Sequence, residues 1–455
     1  MGKSKAKSSD PPVMSWKKLL SEDRLKPIEQ TSGARSPFVV DQDIVINSQP
    51  FRRLQDKTQV HPLSDNDHVR RRLTHSLEVA SIGRALGKCA AKRLLQNHQH
   101  LAEEGVSPET FGEILYAACL AHDIGNPPFG HFGETAIQTA LNKMIESPLC
   151  MDLNEQEKGD LGGWEGNAHG FRVLNTLEKY QDDGGMRLTV ATLATFAKYP
   201  WSSVSQRGKA NKGKFGYFQC EQAAFSQIAQ HVGLLEDPSG GWCRHPLAHL
   251  VEAADDIAYA VGDLEDGCEL KLVSFDEIKA IFKDIRYRDE VTDSRRSERR
   301  RLEFLREDVV QNAVEDVAET FCKKHTDLLA AGRLPEGILP LSRVGGMIKK
   351  AKERATEKIF QAPQKAGIEV ASFEVIGTLI EKIVTALLTI RREGKGSREH
   401  RRLIEFSLNK KIDWIIAQPP FELLITTADY VAGMTDSYAL RMYRHMKGID
   451  FSVGR

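Results

Sequence analysis

Apolar residues recur every three or four positions along much of the chain, whereas strict alternation of apolar and polar residues is rare. The clearest such stretch runs from Val69 to about Leu95. Its apolar positions include Leu73, Leu77, Ala80, Ile82 and Leu86. This spacing places the side chains on one face of an α-helix, and the abundance of such stretches predicts an all-α protein.

A second helix is indicated at both of its ends. Ser107 suits the N-cap, Pro108 suits the first helical position, and Glu109 favours the positive end of the helix dipole. An apolar run, ILYAACLA, then leads to His122 and Asp123. The GNPP sequence that follows must end the helix, because proline cannot continue one.

Weaker helical patterns fill much of the remaining chain. They span about 167–180, 186–198, 218–231, 245–264, 303–330, 368–391 and 420–445. We expect surface loops at 151–166, which is acidic and glycine-rich, and at 202–216, which is basic. Residues 1–12 are polar and are predicted to be disordered.

The composition disfavours several classes of protein. The chain has 455 residues, 41% of them hydrophobic, and 63 basic residues balance 63 acidic ones. A uniformly basic nucleic-acid binder is therefore disfavoured, although a local basic face is compatible with these numbers. The seven cysteines show no CxxC spacing, which is typical of thiols in a reducing compartment. We see no signal-peptide core and no apolar run of roughly 20 residues, so we expect a cytoplasmic protein without a membrane span.

Candidate metal ligands occur in three polar segments. They are His75, the adjacent His122 and Asp123, and the adjacent Asp255 and Asp256. By itself, a His-Asp pair at a helix end favours a capping arrangement, and two acids within a helix favour a solvated face. Taken together, one histidine, one His-Asp pair and one aspartate on three helices match a mononuclear site for Mg²⁺, Mn²⁺, iron or Zn²⁺.

Two further polar residues lie on the helix that carries the paired acids. Tyr259 and Asp263 follow Asp255 by four and eight residues, and therefore share its helical face. A face made of a tyrosine and two aspartates is polar and directional. This pattern indicates a cleft that binds a ligand.

Longer strings of residues carry a resemblance to a known family. The order His…His-Asp…Asp is similar to that of the HD-domain phosphohydrolases, and the strings resemble the deoxyguanosinetriphosphate triphosphohydrolase family. They are FRRLQDKTQV (51–60), RRLTHS (71–76), AHDIGNPPFGHFGE (121–134), EGNAHG (165–170), KYPW (198–201), KFGYF (214–218), EAADDIAYAVGDLED (252–266) and DYVAGMTDSYA (429–439). The resemblance covers roughly residues 35–445. It implies a helical, commonly oligomeric enzyme that hydrolyses deoxynucleoside triphosphates (dNTPs) to deoxynucleoside and intact triphosphate.

The resemblance implies four metal ligands, His75, His122, Asp123 and Asp255. Asp255 is preferred to Asp256 because the family's motif places its tyrosine four residues after the ligand. The implied cofactor is a divalent ion, Mn²⁺ or Mg²⁺, and Fe²⁺, Co²⁺ and Zn²⁺ are also compatible with these ligands.

The same resemblance implies a catalytic pair. His131 matches the family's catalytic histidine, which activates water or attacks the α-phosphate, and Glu134 is expected to orient or polarise it. On a helix that begins after the Pro-Pro turn, two side chains three residues apart can touch. A histidine supported by a carboxylate is a suitable base near neutral pH.

A set of residues is predicted to contact the triphosphate. Arg72 can hold a phosphate bidentately, whereas Asn126 occupies a position where some relatives have a phosphate-contacting histidine. The other candidates for triphosphate contacts are Lys198, Tyr199 and Lys214.

Gln59, Tyr259 and Asp263 match positions of the sugar pocket in the family. A donor and an acceptor there would hold the 3′-hydroxyl, and a packed tyrosine would exclude ribonucleotides by a clash at C2′. Val60 and Asn167 are further candidates for substrate contacts.

The predicted organisation has three parts. Residues 1–34 form a partly disordered N-terminal segment, 35–270 form the HD-domain catalytic core, and 271–455 form a C-terminal helical region that completes the pocket and supplies oligomer contacts. By analogy with some relatives we expect a homo-oligomer, up to a hexamer. Activation by a second dNTP and weak binding of single-stranded DNA are compatible with the sequence.

Two alternative functions stay open on the sequence alone. The first is an HD hydrolase that acts on another nucleotide, although His61, His68, His169 and His249 form no clear second set of metal ligands. The second is a nucleotide-regulated protein that binds single-stranded nucleic acid. The basic loop at 202–216 and the arginine-rich segment at 286–301 are the features that favour it.

Overall fold

The computed structural model describes most of the chain as helices joined by short connections. The described residues are 12–28, 33, 35–59, 70–179, 184–331, 334, 337–360 and 363–450. Within these ranges extended backbone pairs only as isolated bridges, Arg24 with Thr189, Thr58 with Arg71 and Glu236 with Trp242. The prediction of an all-α protein is confirmed. Residues 1–11 and Val60, for which predictions were made, lie outside the described residues.

The helices follow one another along the described chain. The first ten are α1 (Trp16–Leu19), α2 (Pro37–Asn47), α3 (Gln49–Arg53), α4 (Arg72–Asn97), α5 (Pro108–Ala121), α6 (Gly130–Ile145), α7 (Glu155–Gly162), α8 (Gly166–Arg172), α9 (Val190–Phe196) and α10 (Gln206–Ala210). The next ten are α11 (Gln222–His231), α12 (Ala248–Glu269), α13 (Phe275–Ile281), α14 (Glu298–Ala331), α15 (Gly345–Ala355), α16 (Pro363–Glu393), α17 (Arg398–Phe406), α18 (Ile412–Ala417), α19 (Pro420–Ala432) and α20 (Asp436–Lys447). No described helix combines the length and apolarity that crossing a bilayer requires.

Three predicted segments differ from the structure in detail. The acidic segment 151–166, predicted as a surface loop, contains helix α7, which Asn154 caps by accepting the Glu157 amide. The stretch at 420–445 is two helices, because the chain turns after α19 and Thr435 starts α20 by accepting a hydrogen bond from the Tyr438 amide. The basic segment 202–216, predicted as a loop, contains the short helix α10, which Ser205 caps. In all three cases a local side-chain cap starts a helix that apolar periodicity alone does not reveal.

Helices α4 and α5 pack closely, and this packing builds the floor of the site. A Cβ atom added at Gly83 would lie 2.5 Å from the Cys119 sulfur, and one at Gly87 would lie 2.7 Å from the Phe111 carbonyl oxygen. Glycine therefore permits the close approach of the two helices. His75 lies in the first turn of α4 and His122 caps the end of α5, so antiparallel packing brings their rings to a centroid distance of 5.4 Å.

Two clusters of buried apolar residues support the fold. The first is built largely on α4, α5, α12 and α14, and the second on α6, α16 and α19. Residues after 270 enter both clusters, with Phe321 in the first and Ile380 in the second. The division at residue 270 stays a prediction.

Candidate active site

Four side chains from three helical segments meet beneath a cavity. His75 Nε2 lies 3.1 Å from Asp255 Oδ1, and His122 Nε2 lies 3.6 Å from Asp255 Oδ1 and from Asp123 Oδ1. Candidate ligand atoms of His75, His122 and Asp123 all lie within 4.8 Å of one another. The structure therefore brings together the four residues that were predicted as metal ligands.

The orientation of His122 suits a divalent cation. Its Nδ1 lies 2.7 Å from the Cys119 carbonyl oxygen, to which an Nδ1 proton would be donated. Its Nε2 is buried and has no hydrogen-bond partner among the residues that the structure describes. A neutral imidazole that donates at one nitrogen presents a lone pair at the other, as metal-binding histidines do. Two imidazoles and two carboxylates are a donor set that divalent ions accept, so these residues fit a metal.

The environment of Asp255 keeps it ionised. Burial opposes its charge, but His122 and His75 outweigh this effect and hold the pKa of Asp255 well below its usual range. Its neighbour Asp256 points elsewhere and accepts a hydrogen bond of 2.7 Å from Lys352 Nζ on α15. The two successive acids of α12 therefore have different surroundings, and only Asp255 faces the histidines.

The turn that follows Asp123 requires glycine at position 125, because neighbouring backbone atoms leave no room for a side chain. A Cβ atom at Gly125 would lie 2.0 Å from the Gly166 carbonyl oxygen and 2.2 Å from the Gly170 amide nitrogen. Helix α8 thus packs its backbone directly on this turn, and the His169 ring contacts the Gly125 carbonyl oxygen at 2.9 Å. His169, for which the sequence indicated no role, braces the turn.

Gly125→Ala is expected to lower the free energy of unfolding by about 3 kcal/mol, because backbone atoms on both sides leave no room for a methyl group. Gly377→Ala on α16 is the matched control, since a Cβ atom there would have no atom of the described residues within 4 Å. That change should raise stability by up to about 1 kcal/mol through helix propensity. Urea denaturation measures both, and equal effects of the two changes would contradict the proposed close packing.

His131 stands at the mouth of the cavity, and its side chain is 88% exposed. Its Nδ1 lies 4.0 Å from Glu134 Oε2, which is too long for a hydrogen bond. Partial desolvation by the protein atoms around the imidazole lowers the pKa of His131 below its ordinary value of 6.5, and the nearby cations Arg72 and Lys214 lower it further. The histidine is therefore neutral at pH 7 and able to accept a proton.

Glu134 makes its shortest contact with a lysine. Lys214 Nζ donates to Glu134 Oε1 at 2.6 Å and to Glu165 Oε1 at 2.8 Å. Burial opposes the charge of Lys214, but Glu165 and Glu134 outweigh it and raise the pKa of Lys214. This triad places Lys214 beside His131, and the orientation of His131 by Glu134 stays a prediction.

The cavity above the four donors has a volume of about 510 Å³. Pockets of roughly 300–1,000 Å³ are typical of small-molecule sites. Arg72, Lys198 and Lys214 line it, so three cations face the space beside the carboxylates. Arg72 also donates to Asp123 Oδ2 at 2.8 Å, which joins a predicted phosphate contact to a predicted metal ligand.

Most of the other predicted substrate contacts also line this cavity. They are Gln59, Asn126, Asn167, Tyr199 and Tyr259. Asn126 donates to Asp123 Oδ1 at 2.5 Å, so it orients a predicted ligand as well. Asp263 is buried behind Tyr259, to which it is hydrogen-bonded, and does not itself line the cavity.

Some residues of the site were not predicted from the sequence. Glu252 lines the cavity and pairs with Lys198 at 3.2 Å and with Arg244 at 2.9 Å. Its position three residues before Asp255, on the same helical face, is a signal that could have identified it. Glu165 accepts the Asn167 amide at 2.6 Å, and its carboxylate then reaches Lys214.

The arginine-rich segment at 286–301 is extensively paired within the protein. Arg288 contacts Asp308 at 2.6 Å, and Arg295 contacts Asp293 at 2.8 Å. Arg300 is paired with Glu303 at 2.5 Å. These pairs reduce the positive charge that the segment presents, and nucleic-acid binding by it stays a prediction.

A helical fold with histidine and aspartate donors beneath a cavity defines an HD-domain protein, and the family model described as HD domain matches residues 72–161. A deoxyguanosinetriphosphate triphosphohydrolase-like protein of Synechocystis sp. is 39% identical over 449 residues, which cover 96% of the chain and 100% of that protein. The corresponding protein of Listeria monocytogenes is 31% identical, over 96% of the chain and 100% of its own length. A deoxyguanosinetriphosphate triphosphohydrolase of Salmonella paratyphi A is 29% identical, over 91% and 94%. The chain belongs to the deoxyguanosinetriphosphate triphosphohydrolase-like family.

Proposed function

We propose that the protein is a metal-dependent hydrolase that cleaves dNTPs at the α-phosphate, releasing deoxynucleoside and tripolyphosphate. The observation that carries this proposal is the group of four histidine and aspartate donors at the floor of a cavity that three cations line. The names of the relatives support triphosphate hydrolysis and a deoxynucleotide substrate. The proposed substrates are dGTP or several dNTPs, which the assay with each dNTP distinguishes.

The cations of the cavity suit a triphosphate. Such a group carries about four negative charges, which oppose attack by water at the α-phosphate. Arg72, Lys198 and Lys214 line one continuous space and would offset this charge. Since Lys198 and Lys214 are already held by carboxylates, they are pre-oriented and need little reorganisation when a phosphate arrives.

His75, His122, Asp123 and Asp255 would hold the divalent ion, for which Mn²⁺ and Mg²⁺ are the first candidates. A bound divalent ion lowers the pKa of water and neutralises charge that develops on phosphate oxygens. Arg72 and Asn126 keep both oxygens of Asp123 hydrogen-bonded and so fix its orientation. These contacts are the outer support that metal ligands require.

His131 is proposed to take a proton from the attacking water. It lines the cavity beside Arg72 and Lys214, and its lowered pKa keeps the imidazole neutral at pH 7. Tyr259 is proposed to close the sugar pocket, with Asp263 bonded behind it to hold the ring in place. A ring fixed in this way would reject a 2′-hydroxyl by clash.

The proposal is tested by separating the products that the purified protein forms from each dNTP and each ribonucleoside triphosphate. The metal-stripped protein should be inactive, and restoring Mn²⁺ or Mg²⁺ should yield deoxynucleoside and tripolyphosphate from dNTPs only. If single dNTPs fail and mixtures succeed, a second dNTP activates the enzyme. Release of diphosphate or orthophosphate would contradict cleavage of the bond between the α-phosphorus and O5′, and inactivity with Mn²⁺, Mg²⁺, Fe²⁺, Co²⁺ and Zn²⁺ would contradict the hydrolase.

A further inference from the structure

Lys57 connects the turn 123–131, which leads from the end of α5 into α6, to the end of helix α19. Its side chain is buried, and Nζ donates to the Asn126 carbonyl oxygen at 2.6 Å and to the Ala432 carbonyl oxygen at 2.8 Å. Ala432 is the last residue of α19, where unpaired carbonyl groups favour a cation. One lysine side chain thus connects the turn that follows Asp123 with the end of a helix 375 residues further along the chain than Lys57.

Asp436 makes a second connection from the next helix, α20. Its carboxylate Oδ2 accepts the Thr58 amide at 3.1 Å and the Thr58 hydroxyl at 2.6 Å. Its Oδ1 accepts the Phe129 amide at 2.9 Å. Phe129 has a left-handed backbone, with φ of 63°, and directly precedes α6, which carries His131. Asp436 therefore holds the start of α6 and also the segment 57–59, which we call the strap.

Neither Lys57 nor Asp436 lines the cavity, yet both act on residues that do. Thr58, Asn126 and Phe129 are part of its wall. A buried polar group is costly unless it is hydrogen-bonded, and Lys57 and Asp436 make these bonds to Asn126 and Phe129 in one turn of the site.

We infer that Lys57 and Asp436 are positioning residues that fasten the turn 123–131 and the strap 57–59 to the C-terminal helices, and so set the catalytic geometry from outside the cavity. The inference rests on the proposed function for its kinetic consequence. Its structural consequence is independent of activity, because both residues hold backbone groups whose exposure can be measured directly.

Asp436→Asn is expected to lower kcat roughly 100-fold with a smaller change in KM, since a misplacement of about 1 Å has an effect of this size. The asparagine amide would face the Thr58 or Phe129 amide, donor against donor. The matched control is Asp316→Asn on α14. Asp316 is also buried and also accepts a backbone amide, that of Val344 at 2.9 Å, but Val344 is not part of the cavity wall, whereas Thr58 and Phe129 are. It should lower the melting temperature and leave kcat within about twofold.

Lys57→Met provides a second route if Asp436→Asn fails to fold. It keeps the length of the side chain and removes both hydrogen bonds, and we expect a similar loss of kcat. Lys382→Met is its control, because Lys382 donates at 3.0 Å to the Met446 carbonyl oxygen near the exposed end of α20. A normal kcat in both Lys57→Met and Asp436→Asn would overturn the inference.

Hydrogen–deuterium exchange separates this inference from the proposed function. Peptides that cover 55–59 and 125–133 should exchange faster in Asp436→Asn than in wild type or Asp316→Asn. If the wild-type protein hydrolyses no dNTP, the proposed function fails, but faster exchange in these peptides still supports the positioning role. Unchanged exchange there would overturn it, whatever the activity.

Discussion

Asp255→Asn is expected to lower kcat/KM for dNTP hydrolysis by about 1,000-fold and to weaken binding of Mn²⁺. Asp255 Oδ1 lies 3.1 Å from His75 Nε2 and 3.6 Å from His122 Nε2, so the change removes the carboxylate shared by both histidines. A bound metal contributes several kcal/mol to transition-state stabilisation, and each 1.36 kcal/mol is tenfold in rate. Steady-state kinetics at fixed Mn²⁺ and calorimetric Mn²⁺ titration measure the two effects.

Asp256→Asn is the matched control for this experiment, since it makes the same chemical change one residue further along α12. Asp256 is paired with Lys352 and faces away from the histidines. We expect kcat/KM within about twofold of wild type, as is usual for changes worth less than about 0.5 kcal/mol. Equal losses in the two variants would contradict the assignment of Asp255, and a larger loss in Asp256→Asn would reverse it.

The sequence predicted the parts of this site that depend on local order. Periodicity identified α4 and α5, and Ser107 is the N-cap that it was expected to be, accepting the Thr110 amide. His75 and His122 then meet because they lie at the start of one helix and the end of its antiparallel neighbour. Local patterns are informative here because each helix buries one continuous face.

Other features depend on contacts between distant segments and could not be derived from local patterns. The residues of α12 alone do not show which of Asp255 and Asp256 is the metal ligand, and it was the family resemblance that favoured Asp255. In the structure Asp256 is paired with Lys352 on α15. Likewise, Asp263 was expected beside the sugar, but the fold buries it behind Tyr259. The partner of Asp256 lies 96 residues away along the chain, so no local pattern reveals it.

His131→Asn is expected to lower kcat/KM by about 100- to 10,000-fold, the range that general base catalysis supplies. The neutral imidazole accepts the proton and the protonated form cannot. Because the pKa of His131 lies below 6.5, the wild-type rate should be constant near pH 7 and should fall as the pH drops below that pKa. Tripolyphosphate release from pH 5 to pH 8 measures this acid limb, which the variant should lose.

The metal ligands could also produce an acid limb, and the metal concentration distinguishes the two origins. Protons compete with the ion for its ligands, so a limb that arises from ligand protonation moves to lower pH when Mn²⁺ is raised tenfold. A limb set by His131 stays in place. His231→Asn is the matched control, since His231 is exposed and paired with Asp23 at 2.6 Å. If the acid limb persists in His131→Asn, or if it moves with the Mn²⁺ concentration, then another group and not His131 is the base.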